Sequence, residues 1–203
     1  MISARPQIAP TAETVKVMRF LNTLFVRYPP TDANKRMVFV DVDSPDKKGE
    51  VTGSQENAGG RDAIMDYVHR LVHEQSISPT SIGIISMYAD DLNTLKKAIK
   101  DARLDAIKVS TVDGFQGQER NIMLVHLVAS QHFKFIGNAN RLNVALTRAK
   151  DAMIVVGNLT AMSNFLANKM DSLERADQMA HRLIAGMIKH GNENRQRIVY
   201  RPR

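Results

Sequence analysis

A chain of 203 residues with 43 % hydrophobic and 24 % charged residues has the size and composition of one globular domain. The absence of cysteine removes disulfide frameworks, thiolate metal sites and cysteine nucleophiles, and it fits an intracellular protein. The net charge of +7 favours a polyanionic partner; no run approaches the roughly 18 apolar residues of a membrane span, and the first ten residues lack the apolar stretch of a secretory signal, so no membrane partner is expected.

Residues 11–27 are the first expected helix, with Thr11 as N-cap and Val15, Met18, Leu21 and Phe25 on one face. Tyr28-Pro29-Pro30 ends it, because proline cannot continue the helical ladder. Residues 37–42 (MVFVDV) read as a buried strand, and 43–60, rich in Ser, Pro, Gly and charge, as a long loop. The clearest helical stripe follows over 61–75: Ile64, Tyr67, Val68, Leu71 and Val72. Then come a strand at 82–85, a helix with Leu92, Leu95, Ile99 and Ala102 inward, and strands at 107–112 and 121–129. A helix over 140–150 turns Leu142, Ala145, Leu146 and Ala149 inward. A strand at 152–156, a helix carrying Met162, Phe165 and Leu166, and a last helix over 175–189 complete the series.

Apolar strands alternating with amphipathic helices predict an α/β fold: a mostly parallel sheet of about five strands with helices on both faces. Ligands of such sheets gather beyond the carboxyl ends of the strands, which points to the residues after Val42, Ile85, Val112, Ala129 and Val156. Residues 169–203 hold eight Lys or Arg against four Asp or Glu and end in NRQRIVYRPR. That end reads equally as a solvated tail or as a strip that follows nucleic acid.

Two segments could carry chemistry. In residues 113–119 (DGFQGQE), Gly117 would let backbone N–H groups approach an anion, and Glu119 could accept a hydrogen bond from a sugar hydroxyl. A tight turn with solvated acids explains the same residues. In the helix over 140–150, Arg141 and Arg148 stand seven apart on nearly one face, and Asn143 and Thr147 form an i, i+4 polar pair.

Together these segments resemble a known family. TVDGFQGQE (111–119), NRLNVALTRAK (140–150) and MIVVGN (153–158) are similar in order and spacing to motifs V and VI of the second motor domain of superfamily 1 helicases. The nearest group is the nonsense-mediated-decay RNA helicase type with its DNA-directed relatives, and SIGIISMY (81–88) resembles its motif IV. The resemblance covers roughly residues 37–166. It implies a three-layer RecA-like (P-loop NTPase-like) fold, with a lead-in over 1–35, the motor domain over 36–168, and a C-terminal helix and basic tail over 169–203.

The resemblance also implies roles. Arg148 is similar to the motif VI arginine finger, which stabilises charge on the transferring γ-phosphoryl group and is worth roughly 10³–10⁵ in rate. Arg141 corresponds to one of the arginines that open motif VI, and Gln116 and Asp113 to organisers of the motif V loop. Gly117 falls near the nucleotide phosphates and Glu119 at the ribose. Tyr88, Ser86, Thr111 and Asn143 are implied to meet the nucleic-acid strand, by hydroxyl or amide contact to the backbone or by stacking. The cofactor implied is ATP with Mg²⁺, and the partner single-stranded RNA or DNA, moved along in the 5′→3′ sense.

The chain departs from the family pattern in four places. Motif VI opens Asn140-Arg141 instead of Arg-Arg, and Met87 replaces the usual proline of motif IV. Arg5 is the one candidate for a second γ-phosphate arginine ahead of the first strand. Asn57 precedes its acid, Asp62, by five residues where the family has three. More consequential, no G-x-x-x-x-G-K-[ST] occurs, and VFVDVD (38–43) is the nearest approach to an Asp-Glu magnesium box. The resemblance therefore implies half a motor, with phosphates and Mg²⁺ held by an absent N-terminal RecA-like domain and no ATP turnover by this chain alone. The alternative is a non-catalytic remnant that binds nucleic acid or a protein.

Other motifs weigh less. Tyr88-Ala89-Asp90-Asp91 looks like a polymerase metal box, but helical spacing follows it, which suits acids at a helix start. His69 and His73 stand i, i+4 without a third ligand and read as surface residues. His126 reads as a hydrogen-bonded core histidine, and the eleven Met as core filler.

Overall fold

The structure, a computed structural model, describes residues 11–24, 36–131, 136, 138–169 and 175–202. In chain order its elements are α1 (Ala12–Leu24), β1 (Met37–Asp41), β2 (Lys47–Lys48), β3 (Gln55–Glu56), α2 (Ala58–His69), β4 (Ile82–Ser86), α3 (Ala89–Asp101), β5 (Lys108–Ser110), β6 (Arg120–His126), α4 (Ala139–Leu146), β7 (Ala149–Gly157), α5 (Leu159–Lys169), α6 (Arg175–Glu193) and β8 (Arg197–Val199). Six strands form one sheet in the order β5-β4-β6-β7-β1-β8, and every neighbouring pair is parallel. The apolar runs follow from this arrangement, since a parallel sheet covered on both faces needs hydrophobic residues at consecutive positions.

Alternate residues feed two separate cores. Val38, Val40, Ile82, Ile84, Ile122, Leu124, Ile154 and Val156 pack with Val17, Phe20 and Leu21 of α1, with the α2 stripe, and with Leu95 and Ile99 of α3. Phe39, Ile85, Met123, Val125, Met153 and Val155 pack with α4, α5 and α6. The result is a three-layer RecA-like fold with three helices on each face.

Several boundaries differ from expectation, each for a local reason. The sheet has six strands instead of about five, because Arg197–Val199 of the basic tail pairs with β1. Arg197 donates to the buried Asp41 carboxylate at 2.6 Å, which gives this cation a partner inside the fold. The helix expected over 140–150 stops at Leu146, where the Thr147 hydroxyl turns back to the Asn143 carbonyl at 2.8 Å. Ala149 and Lys150 therefore open β7. In α1 the Thr11 hydroxyl accepts the Thr14 N–H as expected, but the buried face is Thr14, Val17, Phe20 and Leu21, and Val15 is 44 % exposed. Phe25 and the Tyr28-Pro29-Pro30 stop lie outside the described residues, as does Arg5. Helix α2 begins three residues early at Ala58, capped by Asn57, whose side chain accepts the Gly60 N–H at 2.9 Å. The long loop after β1 contains the small antiparallel hairpin β2–β3.

Candidate functional site

The register aligns the strand ends. Ser86 of β4, His126 of β6, Val156 of β7 and, one step on, Gly157 beside Asp41 of β1 mark the carboxyl edge. From β4 the chain leaves toward β5, and from β6 toward β7, so the crevice between β4 and β6 is a topological switch point, a habitual ligand position in open α/β sheets.

Tyr88 lies at that switch point, half-buried, as the residue that starts α3. Burial, with the Asp46 carboxylate nearby, pushes its phenol up to about 12, so the ring stays neutral at physiological pH. Ser86, expected to touch a strand directly, is fully buried. Its hydroxyl donates to Asp91 at 2.7 Å and accepts the Tyr88 N–H at 3.4 Å, so its placement serves to hold the Tyr88 turn. Thr111 follows β5, half-buried, and its hydroxyl accepts the Gly114 N–H at 3.3 Å.

Beneath these residues runs a polar web that the sequence did not disclose. Asp91 accepts from Ser86, from His126 Nδ1 at 2.7 Å and from the Asn57 N–H at 3.4 Å. Burial opposes its charge most strongly, but the His126 ring and these donors together hold the carboxyl below the usual range. Asp90 accepts the backbone N–H groups of Thr52 at 2.9 Å and Ser54 at 3.1 Å, which fastens the β2–β3 hairpin to the start of α3. The two acids of the polymerase-like box thus do structural work within the first turn of α3. Asp46 accepts from the backbone and hydroxyl of Ser130. Ser130 is brought there by a three-residue turn in which Val128 has φ +65° and the Ala129 N–H reaches the Leu127 carbonyl at 2.8 Å. A β-branched residue in the left-handed region costs about 1–3 kcal/mol, which the surrounding packing has to offset.

Arg148 and Glu119 lie at the amino edge, away from the carboxyl ends to which the sheet pattern pointed. The Arg148 carbonyl accepts the Arg120 N–H at 3.1 Å, so Arg148 stands at the start of β7 and Glu119 directly before β6. Arg148 is half-buried; its Nε donates to the Val144 carbonyl at 3.0 Å and its Nη2 to the Thr147 hydroxyl at 2.9 Å. Among the described residues no carboxylate pairs with it. Arg141 does not share a helical face with Arg148, because α4 has ended; its guanidinium lies 3.7 Å from Asp113. Asn143 is exposed on α4, and Gln116, Gly117 and Glu119 are exposed in the segment before β6. Gly117 has φ +73° with nothing near the position a Cβ would take, so glycine is favoured there by backbone conformation alone.

Segment 111–119 joins the two edges. It leaves the carboxyl end of β5, buries Phe115 in the core below α4, and reaches the amino end of β6. His69 and His73 are exposed with ring centroids 4.7 Å apart, and His126 is a buried hydrogen-bonded residue, as the sequence suggested.

A family model described as an AAA domain matches residues 11–160. Over 116 residues the chain is 37 % identical to the DNA polymerase alpha-associated DNA helicase A of Saccharomyces cerevisiae, covering 55 % of this chain and 17 % of that protein. Over 120 residues it is 32 % identical to an uncharacterized ATP-dependent helicase of Methanocaldococcus jannaschii, covering 59 % and 17 %. The DNA replication ATP-dependent helicase/nuclease dna2 of Schizosaccharomyces pombe is 35 % identical over 108 residues, covering 50 % and 8 %. The chain is a superfamily 1 helicase domain. It spans about a sixth or less of the length of these relatives. The family match takes in α1 and the strands β1 to β7, and with them every candidate residue except Arg5. Among the described residues no helix is long and apolar enough to cross a membrane.

Proposed function

We propose that this helicase domain is the C-terminal motor half of an ATP-dependent helicase, with its two edges serving two ligands. The observation that carries the reading is Arg148: a guanidinium fixed by Val144 and Thr147, partly exposed, and with no carboxylate partner among the described residues. A cation held in place without a counter-charge suits an anion supplied from outside the chain. ATP, when bound, supplies a γ-phosphoryl group whose negative charge must be stabilised during transfer.

In this reading Arg148 is the arginine finger, and Gly117 and Glu119 lie along the same edge, where backbone N–H groups and a carboxylate meet phosphate and ribose. Arg141, held near Asp113, and Gln116 organise that segment. The phosphate cradle and the Mg²⁺ ligands belong to an N-terminal RecA-like domain, since neither motif occurs in this sequence. At the carboxyl edge the Tyr88 ring and the Thr111 hydroxyl meet a single strand of RNA or DNA, joined by Asn143, and movement runs 5′→3′.

The test is Arg148→Ala in the complete two-domain protein. Turnover falls by at least about 10³ while strand affinity stays within a few-fold; unchanged turnover removes the assignment. The 203-residue chain alone is expected to hydrolyse no ATP above background, and robust hydrolysis by it would refute the division of labour.

A further inference from the structure

Positive charge gathers on a second element besides the basic C-terminal end. Within the basic C-terminal end, Arg197 is neutralised by Asp41. In the hairpin, Lys47 pairs with Glu56 at 3.1 Å. Helix α3 behaves differently: Lys96, Lys97 and Lys100, with Arg103 just beyond its end, are all exposed. Asp101 is taken by Lys97 at 2.6 Å, and Asp90 and Asp91 are buried and engaged in the web at the helix start. Among the described residues the side chains of Lys96, Lys100 and Arg103 have neither an ion pair nor a hydrogen bond. Asp105 and, beside Asn93 and Lys97, Glu50 are nearby exposed carboxylates, and residues 94–110 hold five cations against two acids.

Lys96 and Lys100 stand i, i+4 on one flank of α3, and Arg103 follows two residues past the helix end, with φ +57°. Lys96 and Lys100 are about 6 Å apart along the axis, the order of the step between neighbouring phosphates on a strand. Complementing the helix dipole accounts for Arg103 and Lys100, which sit at the negative end, but not for Lys96 in the middle of the helix. The row lies on the helix that starts at Tyr88 and leads away from the carboxyl edge. Lys96 lies about 12 Å along the helix axis from the Tyr88 backbone.

We infer that the Lys96, Lys100 and Arg103 flank of α3 is a phosphate track that extends the strand-binding surface beyond Tyr88. It rests on the proposed strand site and adds to it a sequence-independent contact to consecutive backbone phosphates. The track supplies affinity through counterion release, so its signature is in salt dependence.

The experiment measures binding of fluorescent oligothymidylates of about 5 and about 15 nucleotides by anisotropy, between about 50 and about 200 mM salt. It compares the wild-type chain, the triple variant Lys96→Gln/Lys100→Gln/Arg103→Gln, the control Arg182→Gln/Lys189→Gln/Arg201→Gln with the same charge loss elsewhere, and Tyr88→Ala. For the long strand, three lost contacts lower the log–log salt slope by about 2, which is about 20-fold less salt sensitivity over that range. For the short strand, which spans at most about four phosphate steps, the triple variant loses less of the slope than for the long strand, and the control matches wild type for both. A slope unchanged in the triple variant, or lowered equally by the control, overturns the track while Tyr88→Ala still reports on the strand site. Strand binding indifferent to Tyr88 and to the row alike overturns the underlying strand-site reading as well.

Discussion

Replacing Arg197 with Met tests whether the C-terminal strand belongs to the fold. Arg197 Nη2 donates to Asp41 at 2.6 Å and to the Thr160 hydroxyl at 2.7 Å, while Thr160 itself donates to Asp41 from its hydroxyl at 2.6 Å and its backbone at 3.0 Å. Met keeps the apolar stem and removes only the polar head. A hydrogen bond to a charged group is worth about 1.5–3 kcal/mol, and the second bond about 1 kcal/mol. Freeing the arginine head and the 22 % exposure of its side chain return part of this, leaving a cost of about 2 kcal/mol. For a domain of this size that is a fall of about 4–8 °C in Tm, readable by far-UV circular dichroism at pH 7. Burial opposes the Asp41 charge most, yet the Thr160 and Arg197 bonds together leave its carboxyl below the ordinary 3.8. A depressed carboxyl stabilises above its unfolded value and ceases to do so as pH falls through its folded value. The difference between wild type and variant therefore shrinks below about pH 4. A variant within about 0.5 kcal/mol of wild type at pH 7 would refute the argument that this pair holds β8.

Gly60→Ala drives a Cβ into the His126 ring, so an overpacking cost of about 1–3 kcal/mol should exceed the gain of about 1 kcal/mol in helix propensity; urea midpoints report the balance, and a more stable variant would show that the ring yields freely. Asp91→Asn removes the charged acceptor shared by Ser86 and His126 and is expected to cost about 2–4 kcal/mol at pH 7. Because the Asp91 carboxyl is also held low, the deficit should fade as pH drops below about 4, and a deficit independent of pH would mean that the loss is one of packing.

The strands were legible because both faces of the sheet are buried, so Ile82–Ile85 and Ala152–Val156 read as apolar runs. Strand β8 was not, since Arg197, Ile198 and Val199 form only three residues amid arginines, and its pairing depends on a carboxylate over 150 positions away. Gly59 and Gly60 read as loop residues, yet they stand in the first turn of α2, where a side chain at Gly60 would meet His126. The candidate site was legible as residue types and spacing, which do not reveal whether a loop lies above or below the sheet. Arg148 and Tyr88 thus fell into one list although the fold sets them at opposite edges. The burial of Ser86 follows from its position as the last residue of a central strand, and the web around Asp91 joins positions 57, 86, 91 and 126, which no local pattern connects.

Segment 111–119 is a tether pinned at its middle. Phe115 is fully buried and sits so close on β4 that a Cβ at Gly83 would come within 2.9 Å of its ring, while the Lys108 ammonium rests 5.1 Å from the ring centroid. The tether therefore has two short arms about a fixed fulcrum, one ending at Thr111 and the other at Glu119. One residue inserted before Phe115 would displace the upper rim and leave the lower one in place, and one inserted after it would do the reverse.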